Sequence, residues 1–130
     1  MIVVATNVLA YFFMCGEHTA AAEDLYEREP TWVAPSLWRS EFRNLLAGYM
    51  RREGLTLNKA CALQDAAQSI LDGEFESDSN SVLRLVSEST CSAYDCEFVS
   101  LAERLNVKLV TMDARVRRAF PRIAVPISAG

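Results

Sequence analysis

The chain has 130 residues, of which 51% are hydrophobic and 23% are charged, and its net charge at pH 7 is −4. This length suits one domain with a sizeable core, and the composition excludes a disordered chain. No apolar run approaches the roughly 18 residues of a membrane span, and the start lacks the basic lead of a signal peptide. We therefore expect one domain over residues 1–130, cytoplasmic and without a membrane partner. The acidic balance also argues against a general electrostatic nucleic-acid binder.

The cysteines show neither paired CxxC spacing nor the density of a secreted disulfide scaffold. We expect them to be small apolar side chains in a reducing compartment. A zinc site is not expected, because the single histidine, His18, is far in sequence from any cysteine pair. The four cysteines are Cys15, Cys61, Cys91 and Cys96.

The chain begins with a strand that runs directly into a helix. Residues 2–4 are a β-branched run typical of a strand buried in a parallel sheet. Thr6 and Asn7 are turn and cap residues, and residues 8–13 are apolar at helical density. The same signals then predict a helix at 18–28, a strand at 31–34, a helix at 36–52 capped by Ser36 and ended by Gly54, and a helix from Asn58 to about Gly73.

The second half alternates helices and strands in the same way. Residues 74–78 predict a short edge strand, and residues 79–88 have helical spacing. Ser92 begins a helix that Asn106 ends. A buried strand at 107–111, a short arginine-rich helix after Asp113 that Pro121 ends, and a final strand at 123–127 follow. This alternation predicts an α/β fold with a mainly parallel central sheet and helices on both faces.

Four positions fall where strand ends and helix starts should converge, namely Ala5, Glu41, Asp95 and Asp113. Three carboxylates crowded at one sheet edge repel each other unless a cation lies between them, and oxygen ligands select Mg²⁺ or Mn²⁺. The helix dipole alone can explain any one of the three acids. Their joint occurrence at separate junctions favours a metal site, which could activate water for phosphodiester hydrolysis.

Four blocks carry a family pattern. The third is the most specific, because a Tyr-Asp pair, an LA pair and a strand ending in T-x-D occur in order. With these blocks the chain resembles the PIN domain, and within it the VapC-like ribonuclease toxins of bacterial toxin–antitoxin pairs. The blocks are IVVATNVLAY, PSLWRSEFRNLL, SAYDCEFVSLAERLNVKLVTMD and RVRRAFP.

The resemblance implies a PIN-like nuclease fold and a metal-dependent endoribonuclease that hydrolyses RNA. It implies Mg²⁺ or Mn²⁺ as cofactor, a cognate antitoxin as partner, and a homodimer. The resemblance also implies that Asn7 orients the first carboxylate or a bound water. The remaining implied positions are the metal-binding carboxylates Glu41, Asp95 and Asp113, the first ligand position at Ala5, and the supporting residues Thr6 and Thr111.

Ala5 departs from the family, which has an aspartate there. Alanine cannot coordinate a cation, so we expect this chain to bind metal weakly and to cleave poorly or not at all. One explanation is a deliberate substitution that protects an expression host from a toxic ribonuclease. The other is a natural pseudo-nuclease that keeps the fold for binding. The intact state of the other motif positions favours the first.

Other charged and apolar residues near these motifs have two interpretations each. Arg115, Arg117 and Arg118 are candidates for RNA contact, or they form a solvated helix face. Glu97, two residues after Asp95 on a helix, should face away from the site. Arg39 and Arg43 flank Glu41 at the same offset and are assigned to packing or solvent, with RNA contact as the alternative. Three residues of the long helix are candidates for antitoxin binding or for core packing, namely Trp38, Phe42 and Tyr49.

Two rival functions stay open. The first is a non-enzymatic module that binds RNA or protein through the same cleft. The second is a phosphoryl-transfer domain, which needs a lysine near an acceptor aspartate. Lys59 is predicted within a helix and Lys108 near the start of its strand, so neither lysine fits that chemistry.

Overall fold

The computed structural model describes residues 1–127, and its centre is one sheet of five strands. The strands are β1 (Ile2–Val4), β2 (Trp32–Pro35), β3 (Gly73–Phe75), β4 (Leu109–Val110) and β5 (Ala124–Val125). They lie in the order β3-β2-β1-β4-β5, and each neighbouring pair is parallel. All the carboxyl ends therefore meet at one edge of the sheet, with β1 in the middle.

Seven helices surround this sheet. They are α1 (Thr6–Phe13), α2 (Thr19–Arg28), α3 (Trp38–Glu53), α4 (Leu57–Ile70), α5 (Ser79–Ser87), α6 (Ala93–Leu105) and α7 (Ala114–Ala119). Helices α1 to α4 pack on one another, whereas α5 packs on α6, which in turn lies on β1, β2 and β4. Since crossovers between parallel strands are right-handed as a rule, this strand order puts the two groups on opposite faces. The parallel sheet with its packed helices confirms the predicted α/β layout. No helix within residues 1–127 is long and apolar enough to span a membrane.

The core is built on large side chains that the sheet and α3 bury together. Trp32, Trp38 and Phe42 have no exposed surface. Phe42 packs on Trp38 at 5.9 Å and on Phe13 at 6.3 Å between ring centroids. The idea that Trp38 and Phe42 are exposed docking residues is therefore wrong, because both belong to the core, while Tyr49 is half-buried.

Several predicted helix ends are confirmed. Gly54 ends α3 at φ 70° and Asn106 ends α6 at φ 55°, the left-handed conformation that glycine and asparagine tolerate. The Ser92 side chain accepts the backbone N–H of Asp95, as an N-cap does. Two cap predictions are wrong. Thr56, and not Asn58, caps α4, and α3 has no side-chain cap, because the Ser36 hydroxyl donates to Glu76 instead.

The predicted strands exist, but four of them have different limits. Strand β2 lies at Trp32–Pro35 instead of 31–34. The edge strand β3 lies at Gly73–Phe75 instead of 74–78, and β4 and β5 are each only two residues long. Strand β4 is short because it pairs with β1 only opposite Val3 and Val4. Thr111 still donates its N–H to the Val125 carbonyl at 2.9 Å, so the chain stays beside β5 where it enters the site.

Two of the four cysteines are buried and two are exposed. All four are free thiols, and Cys91 and Cys96 are buried, as predicted for apolar side chains. The same prediction is wrong for Cys15 and Cys61, which are exposed. Cys91 immediately precedes the cap of α6 and Cys96 lies in its second turn, the two positions of a hydrophobic staple.

We expect Phe42→Ala to lower the free energy of unfolding by about 3–5 kcal/mol, because it leaves a cavity between α1 and α3. Leu45, on the same helix but 37% exposed, is the matched control. Leu45→Ala should cost less than about 1 kcal/mol. Urea denaturation measures both, and equal losses would contradict the assignment of Phe42 to the core.

Candidate active site

A cleft opens at the carboxyl edge of the sheet and encloses about 110 Å³. That volume holds about three or four water molecules. Strand β1 ends at the cleft, the starts of α1, α6 and α7 border it, and α3 adds a residue from its first turn. The lining residues are Ala5, Thr6, Asn7, Glu41, Asp95, Phe98, Leu109, Thr111, Asp113 and Val116.

Seven of these ten positions are predicted from the sequence, and the three others are apolar residues that the sequence patterns do not identify. Phe98 and Val116 each lie three residues after a predicted carboxylate, on the same face of its helix. That spacing is the signal that could have identified them. Leu109 lies within β4. It lines the cleft because the cleft extends below the edge of the sheet, and no local sequence pattern predicts that depth.

Glu41 is a half-buried acid in the first turn of α3. Burial raises the pKa of its carboxyl, a hydrogen bond from Thr6 opposes this rise, and the charges of Asp95 and Glu97 raise the pKa further. The Thr6 hydroxyl, itself buried, donates to Glu41 Oε1 at 2.7 Å. Glu41 is thus fixed in place by one short hydrogen bond and lies in the field of two other acids.

Asp95 and Asp113 enter the cleft from the N-termini of two helices. Asp95 is in the first turn of α6, where the Ser92 side chain accepts its N–H at 3.0 Å. Asp113 is the N-cap of α7, and its Oδ1 accepts the N–H groups of Arg115 at 2.9 Å and Val116 at 3.3 Å. Both bonds go to Oδ1, so Oδ2 takes no part in the cap. The start of α7 therefore orients the Asp113 carboxylate, and both acids lie at helix N-termini, where the helix dipole favours a negative charge.

Asn7 connects α1 to the loop that carries Asp113. Its Oδ1 accepts the N–H of Met112 at 3.4 Å, and its Nδ2 lies 3.5 Å from the Thr111 hydroxyl oxygen. That same hydroxyl oxygen accepts the N–H of Asp113 at 3.1 Å. Asn7 and Thr111 therefore fix the approach of Asp113, and a role for Asn7 toward a carboxylate at position 5 stays a prediction.

The chemical type of the ligands in the cleft suits a hard divalent cation, but there are too few of them close together. Three carboxylates supply the oxygen ligands that Mg²⁺ and Mn²⁺ prefer, and they line one cleft. Within residues 1–127, however, no three His, Cys, Asp or Glu side chains lie close enough together to hold a metal ion. A methyl group occupies the fourth position, at Ala5.

Most of the remaining charged candidates lie outside the lining of the cleft. Glu97 accepts the Ser77 hydroxyl at 2.6 Å and lies on another surface, although its charge reaches Glu41. Arg39 makes two 2.6 Å hydrogen bonds with Glu74 of β3, which is a packing role. The arginines of α7 do not line the cleft, and two of them are exposed, namely Arg115 and Arg118, while Arg117 is half-buried.

Comparisons with known proteins agree with this fold. The PIN domain family model matches residues 2–123. The chain is similar in structure to a toxin–antitoxin complex from Klebsiella pneumoniae, with TM-score 0.73, 14% identity and 98% of each chain covered. It is also similar to FitAcB from Neisseria gonorrhoeae, with TM-score 0.76, 14% identity and 100% of each chain covered. At this identity the two structures show a shared fold. No curated protein sequence matches the chain.

We expect Glu41→Gln to stabilise the metal-free protein at neutral pH. The pKa of Glu41 is raised in the folded state, so the folded protein binds that proton more tightly than the unfolded chain does. The resulting stability is present below the ordinary pKa of 4.5 and is lost as pH rises through the folded value. Glutamine keeps an acceptor for Thr6 but cannot ionise.

Thermal melts in a chelator from pH 4 to pH 8 measure this effect. The Tm of the Glu41→Gln variant should exceed the parent value by a few degrees at pH 7, and the gap should close toward pH 4. Glu27→Gln, on an exposed position of α2, is the control. A gap that stays constant with pH would contradict the burial of an ionised Glu41.

Proposed function

Because this chain belongs to the PIN domain family, we propose that its parent activity is divalent-metal-dependent hydrolysis of RNA phosphodiester bonds, disabled here at Ala5. One observation carries the proposal. Carboxylates from three separate strand–helix junctions, Glu41, Asp95 and Asp113, line a single cleft around the end of β1. A purely structural role for acids at helix starts does not require them to converge.

The cation would be held by Glu41, Asp95 and Asp113 together with an aspartate at position 5. When bound, Mg²⁺ or Mn²⁺ would lower the pKa of a water and neutralise charge on the phosphoryl group. The protein residues keep the ligands in place. Thr6 holds Glu41 through its hydroxyl, and Asn7 holds the loop before Asp113.

The RNA chain would be positioned by the basic face of α7. Arg115, Arg117 and Arg118 all follow the Asp113 cap within five residues, and Arg115 and Arg118, three residues apart, are the exposed ones. Arginine can bond two phosphate oxygens at once. With net charge −4, the chain would attract RNA through this local basic face and not through its overall field.

We also propose that the protein is the toxin of a toxin–antitoxin pair, with an antitoxin protein as partner and a homodimer as its assembly. The support is the PIN family match together with the likeness to a chain described as part of a toxin–antitoxin complex. A toxin role also explains why loss of one carboxylate would be tolerated or selected, since it removes the harmful activity and leaves the fold intact.

The second candidate is a natural pseudo-nuclease that binds RNA or protein through the same cleft. The methyl group of Ala5 favours it, because the cleft as it stands lacks a complete donor set. The two candidates differ in what an added carboxylate does. In a disabled nuclease it restores cleavage, whereas in a binding module it only adds charge.

We expect Ala5→Asp to confer RNA cleavage that needs Mg²⁺ or Mn²⁺ and that a chelator stops. Since metal stabilisation of a phosphoryl group contributes several kcal/mol, the rate should rise at least about 100-fold over the parent chain. Ala5→Asn is the matched control, because asparagine has the same shape without the charge.

The measurement is cleavage of a broad RNA pool, resolved on gels, by the parent chain and by the Ala5→Asp and Ala5→Asn variants. Cleavage by the aspartate variant alone supports the nuclease. No cleavage by any of them, or equal cleavage by the asparagine and aspartate variants, would contradict the proposed function. A double variant, Ala5→Asp with Asp113→Asn, should again be inactive.

A further inference from the structure

Tyr94 is set apart from the other aromatic residues by its exposure. Its side chain is 63% exposed, whereas every other Trp, Tyr and Phe within residues 1–127 is buried or half-buried. Several of those rings pack on one another, as Tyr26 does on Trp32 at 5.2 Å between centroids. Tyr94 makes no such ring pair in this part of the chain, so most of its surface is open to solvent.

The position of Tyr94 is the second observation. It is the second residue of α6 and immediately precedes Asp95, which lines the cleft. From the other side, Arg115 follows Asp113, which lines the same cleft from the start of α7. Tyr94 and Arg115 are therefore exposed residues close in the chain to two of the cleft carboxylates, and neither of them lines the cleft itself.

The charge of the cleft makes an aromatic contact useful there. Glu41, Asp95 and Asp113 repel phosphate, and the chain carries a net charge of −4. Stacking of a base on an aromatic ring does not depend on overall charge, and it is available only to a base that is not paired. A ring at the rim can thus hold RNA where electrostatic attraction is weak.

We propose that Tyr94 is an RNA-binding residue that stacks on an unpaired base beside the bond to be cut, while Arg115 contacts a neighbouring phosphate. This inference rests on the proposed function, which supplies the RNA. Tyr94 thereby favours an unpaired segment as the substrate and aligns its backbone with the three carboxylates. The Tyr-Asp pair of the sequence is then one unit, in which the ring holds the base and the acid faces the phosphate.

Binding of a short fluorescein-labelled oligoadenylate to the chain with Ala5, measured by fluorescence anisotropy, tests the stacking without any cleavage. Tyr94→Ala should raise the Kd about 5- to 100-fold, the usual effect of removing one stacking ring. Tyr94→Phe should stay within about two-fold, because phenylalanine keeps the ring face. Leu83→Ala is the control, since Leu83 is 60% exposed on α5 and does not line the cleft.

A duplex of the same oligoadenylate with oligouridylate separates stacking from general damage. Its bases are paired, so Tyr94→Ala should leave duplex binding unchanged. Equal losses for duplex and single strand, a Tyr94→Ala Kd within two-fold of the parent, or no binding of oligoadenylate by the parent would each overturn the proposal.

The two proposals fail separately. If Ala5→Asp cleaves RNA but Tyr94→Ala in that background changes neither KM nor the Kd, the stacking role is wrong and the nuclease stands. If Ala5→Asp cleaves nothing while Tyr94→Ala still weakens binding of the single strand, the nuclease is wrong and the stacking role stands.

Discussion

Repulsion among carboxylates at the carboxyl edge of the sheet is the constraint on which the site depends. Glu41 is half-buried in the field of Asp95 and Glu97, and Asp113 lines the same cleft. The protein offsets these charges locally, through the Thr6 hydroxyl and the N-termini of α6 and α7. These groups orient the acids, but they do not neutralise them. Because a cation between the acids would remove the remaining repulsion, we propose metal-dependent chemistry for this cleft.

The parallel sheet is what creates this crowding. Strand β1 lies in the middle, so the start of α1 is adjacent both to α3 and to the loop after β4. Thr6 reaches Glu41 on one side, and Asn7 reaches Met112 on the other. Two consecutive residues thus link parts of the chain that are far apart in sequence. The position before them, Ala5, lines the same cleft, so a change of side chain there alters the donor set of the cleft directly.

Much of this could be predicted from sequence, because the signals are local. The cap residues Ser92 and Asp113, the left-handed Gly54 and the β-branched run of β1 each act within a few residues. The errors have the same origin. Thr56 and Asn58 are both good cap residues, and in the structure it is the Thr56 side chain that accepts the N–H of Lys59. The contact of Asn7 with Met112 spans 105 residues, so its geometry follows from the fold and not from any local pattern.

Binding of Mn²⁺ to the chain and to its Ala5→Asp and Ala5→Asn variants, followed by electron paramagnetic resonance, tests the central claim most directly. If the three carboxylates and position 5 form one cation site, the aspartate variant should bind one or two ions at least about ten-fold more tightly than either of the others. The Ala5→Asn variant should gain little affinity for Mn²⁺, because asparagine has the shape of aspartate but no negative charge. Equal affinity in all three proteins would show that position 5 is not part of a metal site and would contradict the claim.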